Sequence, residues 1–215
     1  TKSNKLGFVA SFPIPQVLAN INAFELGAKS VNPDATTSVI FTGSWSDPAL
    51  QTSSANTLID KGIDVIAQHQ DSTKTIVELC EQKGVYCVGD HADASDLAPN
   101  TWLTGAVWHW DDLFIDMVQT AIDGKFDGSK YDGKYRGGLK EGVVDIAPFG
   151  KSVSEDTQKK IEEEKDKMIN DDYNPFSDEI KDQKGNIVCK KGQTLTIDEI
   201  ESMDYLVDGV IGSTK

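Results

Sequence analysis

Five short segments of this chain each follow an apolar run and each carry aromatic or polar side chains. They are Ser11-Phe12-Pro13, Ser44-Trp45-Ser46-Asp47, His69-Gln70-Asp71-Ser72, Asp90-His91-Ala92-Asp93 and Trp108-His109-Trp110. An exposed indole offers a flat apolar face for a planar ligand, and ring stacking adds about 0.5–1.5 kcal/mol beyond burial. Carboxylates and amides beside it can read the polar edge of a ring. The candidate binding set is Phe12, Trp45, Asp71, Asp90, His91, Asp93 and Trp108. Blander roles compete. Trp45 can simply cover the end of a sheet, and Asp47 and Ser72 stand where helix caps are needed. With Ser72 as the cap, Asp71 is left without that role.

His69, His91, Asp90 and Asp93 have metal-ligand chemistry, but no HExxH, no paired histidines at helical spacing and no DxDxDG loop organises them. No metal and no cofactor is expected. Catalytic patterns are also missing: there is no G-x-S-x-G elbow, no P-loop and no G-x-G-x-x-G. Acid–base work by His91 with Asp90 or Asp93 has no nucleophile to serve. Binding is the more economical chemistry.

The elements that must position these segments alternate. KLGFVAS (5–11) suits a buried strand, and Val17, Ile21, Phe24 and Ala28 mark one face of a helix after Pro15. A β-branched strand (36–42) leads to a helix that starts at Asp47-Pro48 and stops near Gly62. Then follow strand 64–68, a helix from Ser72 to Gln82, strand 85–89, strand 102–107 and a helix over 111–124. Short alternation of this kind gives an α/β fold: a Rossmann-like parallel sheet with helices on both faces. In such sheets ligands bind at the carboxyl ends of the strands, where the five segments collect. After a glycine-rich stretch (126–138), VVDIA reads as another strand, and 152–170 as a solvated helix with a Ser152–Glu155 capping box. The tail reads as two short strands around Gly185 and Gly192, a helix from about Ile197 and the apolar run YLVDGVIG.

Acidic residues outnumber basic ones 35 to 21, a formal charge of −14, which argues against nucleic acid or an anionic membrane as partner. Every apolar run is too short to span a bilayer. Cys80, Cys87 and Cys189 are too few for a disulfide scaffold and read first as buried thiols, with a single disulfide as the alternative. The chain opens on TKSNK with no signal peptide in view, so a cleavage point is expected there and targeting information elsewhere.

The stretches GFVASFPIP, INAFELGAKSVNPDA, SWSDPA, LIDKGIDVIAQHQDS, EQKGVYCVGDHAD, LTGAVWHW, GLKEGVVDIAPFG and MDYLVDGVIG, in this order, resemble the basic membrane protein family. Its members are extracytoplasmic substrate-binding lipoproteins of ABC importers, related to purine-nucleoside receptors. The resemblance implies the type I periplasmic-binding-protein architecture, two Rossmann-like lobes that close on a ligand. It implies that residues 5–103 are the second lobe, that 104–150 cross over and return to the first, and that 151–215 come back to the second. Most of a first lobe is then expected from elsewhere, either the rest of a longer protein or a partner chain. The family's purine-stacking aromatic falls on Trp45, and its G-x-D-S-D turn on Gly89-Asp90-His91-Ala92-Asp93. His91 replaces the first aspartate of that turn, Asp93 matches the second, and Trp108 replaces a ribose-contacting lysine. Both replacements remove charged partners of sugar hydroxyls, which points to a free purine base such as adenine, or another planar heterocycle, over a nucleoside. A membrane permease is the implied partner. Two other readings stand beside this one, a ligand-sensing domain of a signalling protein and a nucleoside hydrolase.

Overall fold

The computed structural model describes residues 1–127, 135–170 and 173–214. Five strands form a parallel sheet: β1 (Lys5–Ala10), β2 (Thr36–Phe41), β3 (Val65–His69), β4 (Tyr86–Gly89) and β5 (Trp102–Trp108). Between them run α1 (Pro15–Val31), α2 (Pro48–Asp60) and α3 (Thr73–Lys83), and a short 3-10 turn (Ser95–Leu97) precedes β5. Then come α4 (Asp111–Ile122), β6 (Val144–Ile146), α5 (Glu155–Ile169), the hairpin β7 (Ile180–Lys181) and β8 (Ile187–Cys189), α6 (Ile197–Glu201) and β9 (Val210–Ile211). The spatial order of the main sheet is β6-β5-β4-β3-β1-β2-β9.

The sheet is mostly parallel rather than wholly so. β6 runs antiparallel to β5, with Ala106 opposite Ile146 and Trp108 opposite Val144. A strand reached after a long excursion is not bound to the right-handed crossover that makes neighbours parallel. Strand residues alternate between two cores. Phe8 and Ala10 face α1 and the tail, in a cluster with Leu18, Ile21, Met203 and Leu206. Val9 and Ile66 face the other way, in a cluster with Leu58, Ile76, Val77 and Trp102. Helices therefore cover both faces, as alternation implied. All three cysteines are free and buried. The Cys87 thiol, with burial, pushes the Cys80 thiol above its usual range.

Three local expectations need correction or qualification. The helix at 152–170 begins at Glu155 and is capped by Ser154, whose Oγ accepts from the Thr157 N–H at 3.3 Å. Ser152 lies in the preceding turn and its hydroxyl donates to the Asn100 carbonyl, so the Ser152–Glu155 box does not form. The capping box that does form joins Thr196 and Glu199 at the start of α6. Ser72 precedes α3 but makes no side-chain cap bond; its Oγ lies 3.3 Å from the Thr75 hydroxyl. Part of the glycine-rich stretch, residues 128–134, lies outside the described residues.

The tail is anchored by polar groups as well as apolar ones. Asn22, fully buried in α1, accepts from the Val207 N–H at 2.9 Å and donates to the Tyr205 carbonyl at 2.9 Å. β9 then adds to β2, after a turn in which Gly209 takes φ +98° beside Glu25 and Lys29. Glu25 is fully buried and accepts the Thr37 hydroxyl at 2.6 Å, while its other oxygen has no hydrogen-bond partner. Burial raises its carboxyl above the usual value; Thr37 and Lys29 act the other way, and Asp208 adds to the rise. A raised carboxyl contributes stability that is present below the unfolded-state value and is lost as pH rises through the folded one. Glu25→Gln is therefore expected to flatten the fall of the thermal midpoint as pH rises above the ordinary carboxylate range. An unchanged pH slope would show that Glu25 is not the group responsible.

Candidate functional site

The carboxyl ends of the parallel strands carry a continuous arc of rings. Phe12 follows β1 and packs at 5.6 Å on Trp45, which lies on the turn between β2 and α2. Trp45 meets His69 at 6.0 Å, and His69 meets His91 edge-on at 5.5 Å. His91 faces Trp108 at 6.4 Å and 26°; Trp108 stacks on Trp110 at 5.2 Å and 14°, and Trp110 on Phe114 at 6.2 Å. From His69 to Trp108 the arc follows the spatial order β3, β4, β5, and its other end sits at β1 and β2. The reversal of winding direction lies between β1 and β3, the place where open α/β sheets form their ligand crevice.

Local chemistry fixes each ring. Asp47 caps α2, its Oδ1 accepting from the N–H groups of Ala49 at 2.8 Å and Leu50 at 3.1 Å. The Trp45 carbonyl accepts the Asp71 N–H at 2.8 Å, tying two of the turns together. Trp45 is half-buried and leans on the core formed by α1 and the tail, so it has a packing role as well as an exposed face. The fully buried Gln70 donates to the Thr42 hydroxyl at 3.1 Å and accepts from Gln51 at 3.2 Å, bracing the same turn from behind.

The two histidines differ. His69 is 3% exposed, and its Nδ1 lies 2.9 Å from the Asn20 amide of α1. Burial, then the neighbouring His91, lowers its pKa to about 4, against an opposing pull from Asp71. It is a neutral imidazole at neutral pH. His91 takes a left-handed backbone conformation, φ +67°, uncommon for non-glycine residues but one in which histidine, like asparagine and aspartate, is enriched. Its Nδ1 accepts the Trp108 indole N–H at 2.9 Å. An indole nitrogen can only donate, so the neutral His91 ring carries its proton on Nε2. That nitrogen lies 3.3 Å from Asp90 Oδ2, a buried oxygen that has no hydrogen bond of good geometry. Burial, the largest influence, raises the Asp90 carboxyl to about 6, with His91 pulling it down.

Of the seven expected site residues, the fold brings Phe12, Trp45, His91 and Trp108 into one arc and sets Asp90 beneath it. Asp93 is exposed and its Oδ1 accepts the Ser95 N–H at 2.9 Å, capping the short 3-10 turn. Asp71 is exposed and acts on His69 and Asp90 through its charge. His69, Asn20, Trp110 and Phe114 complete the arc and were not in the expected set. His69 and Trp110 sit on segments that the sequence does single out. Asn20 comes from a helix and carries no local signal. A cavity of about 1250 Å³ meets the arc at Trp108 and Asn20, and its far side is lined by Tyr173, Phe176 and Ile200. Donor atoms of His69, Asp90 and His91 lie within 4.8 Å of one another, a convergence that motif spacing did not reveal.

Among the described residues, no helix is long and apolar enough to cross a membrane. Comparison with known proteins finds a family model, described as ABC transporter substrate-binding protein PnrA-like, matching residues 1–174. A purine-binding protein of Brucella abortus is 36% identical over 98% of this chain and 58% of its own length. A putative ABC transporter glucose-binding protein of Haloferax volcanii is 34% identical over 82% of this chain and 44% of its own. Among solved structures, a transcriptional activator of the comK gene from Bacillus halodurans matches with TM-score 0.66 and 25% identity, over 81% of this chain and 59% of that one. The chain spans about half the length of the curated relatives it matches.

Proposed function

The chain belongs to the family of PnrA-like ABC transporter substrate-binding proteins, and on that footing we propose that it holds a planar purine-type solute against its aromatic arc. Family members are extracytoplasmic, and the proposed cellular role is delivery of this solute to a membrane permease. The observation that carries the reading is the arc itself, with the indoles of Trp45 and Trp108 on either side of two histidines at the strand ends. The name of the Brucella relative, a purine-binding protein, supports the ligand class. No bond-making residue is assigned; closure of a second lobe over the arc would trap the solute.

Within that class we place a free base such as adenine ahead of its nucleoside. His91 and Trp108 stand where the family resemblance puts sugar contacts, and they are bonded to each other at 2.9 Å. A ribose arriving there finds two groups already engaged, with Trp108 in place of the lysine that the resemblance expects. Calorimetry with adenine and adenosine tests this: adenine is expected to bind at least about tenfold more tightly, equivalent to ~1.4 kcal/mol. Tight adenosine binding with none for adenine would overturn the preference.

The two-lobe division at 103 and 150 belongs to the same proposal. α4 buries only Leu113 and leaves Phe114, Ile115, Val118 and Ile122 between 56% and 72% exposed. A stripe of this kind supports a covering surface, supplied by a first lobe or a partner chain. The similarity to a transcriptional activator favours, as a second reading, a sensor built on the same binding lobe.

A further inference from the structure

We propose that His69, Asp90 and His91 form a site for a divalent transition-metal ion of the zinc type, and that filling it releases Trp108 from His91. Two imidazoles and one carboxylate are a usual donor set for such ions. Their donor atoms lie within 4.8 Å of one another, so small side-chain movements bring all three around one ion. The donors come from the last residue of β3 and from the turn after β4, two neighbouring strand ends held in register by the sheet.

A second observation points the same way. Asp90 is 8% exposed, and its Oδ2 is buried without a hydrogen-bond partner. The charged groups acting on it are His91 and Asp71, neither of which is a permanent cation. A buried carboxylate oxygen is poorly satisfied by this arrangement, and a coordinated cation satisfies it directly. Around the cluster, the Asn20 amide nitrogen lies 2.9 Å from His69 Nδ1. A metal on His69 Nε2 puts the ring proton on Nδ1, so the Asn20 amide must turn its oxygen inward to accept it, as outer partners of metal-bound imidazoles do.

Coupling to Trp108 follows from proton positions. In the structure His91 Nδ1 accepts the indole N–H, and the ring proton sits on Nε2 facing Asp90. A metal on Nε2 needs that lone pair, so the single ring proton shifts to Nδ1 and no net charge is lost. Two N–H groups then face each other, and the Trp108 contact must open. Two of its donors, His69 and His91, also belong to the ring arc, but the ligand is an ion rather than a planar solute, and its uptake is read with no purine present.

The test is zinc titration of the protein after treatment with a chelator, followed by calorimetry and tryptophan emission. Expected is saturable uptake of one Zn²⁺ per chain, weakened at least about tenfold in His69→Ala and in Asp90→Asn. Trp108→Phe should keep zinc binding while losing the zinc-induced change in emission. Absence of saturable uptake by the wild-type protein overturns the site, whatever the variants do. Uptake unchanged in folded His69→Ala and Asp90→Asn places zinc elsewhere and also overturns it. Should those variants misfold, an emission change that persists in Trp108→Phe sinks the proposed coupling.

Discussion

Replacing Trp45 by alanine is expected to weaken adenine binding at least about tenfold, a loss of ~1.4 kcal/mol or more. The indole stands next to the Phe12 end of the ring arc, between Phe12 at 5.6 Å and His69 at 6.0 Å. It is therefore placed to offer a flat surface where the sheet reverses its winding. Removing it deletes the stacking face and widens the crevice into space that water can fill. The same ring leans on the core beside α1, so a thermal melt must accompany the binding measurement. Trp45→Phe keeps a planar face and should recover most of the affinity. Undiminished binding by Trp45→Ala would mean that the indole only packs, and the arc would lose its claim as a stacking platform.

The second large effect is structural. Trp102→Ala is expected to destabilise the fold by about 3–5 kcal/mol, the range for truncating a large buried aromatic residue. Trp102 is 1% exposed, and its indole donates to the Pro148 carbonyl at 3.0 Å. Its six-membered ring lies directly over Gly89, where any side chain would collide with it, so β4 and β5 approach closely only because that residue is glycine. Alanine at 102 leaves a void in the core that α2 and α3 cover, and it orphans the Pro148 carbonyl. Urea unfolding measures the loss; an unchanged midpoint would show that the neighbouring residues collapse into the space. Because Trp102 and Trp108 open and close the same strand, the variant is also expected to disturb the arc.

The sequence reveals much of this arrangement, for reasons visible in particular residues. The apolar runs at β1 to β5 are short, and helical patterns separate the first four so regularly that a parallel α/β sheet follows. Asp47-Pro48 announces a helix start that the structure keeps. What stayed hidden depends on direction rather than residue type. Spacing could not tell that His69 turns inward, because a buried strand end and an exposed turn residue look alike in one dimension. Asn20 meets His69 across 49 residues, and Trp108 reaches His91 across 17, from separate elements. The Ser152–Glu155 reading missed by two positions because a preceding turn uses Ser152 and Val153 before the helix begins. The antiparallel course of β6 was equally invisible, since a strand's composition does not state its direction.

Asn22 sets a condition on how the molecule is made. Its amide oxygen waits for a partner 185 residues downstream and its amide nitrogen for one 183 residues downstream. A nascent polypeptide emerging from the ribosome can assemble β1 to β5, yet α1 keeps an unsatisfied polar side chain until translation has passed Val207. Premature termination before that residue would release a product in which α1 is still unfinished, a natural substrate for chaperones and proteases.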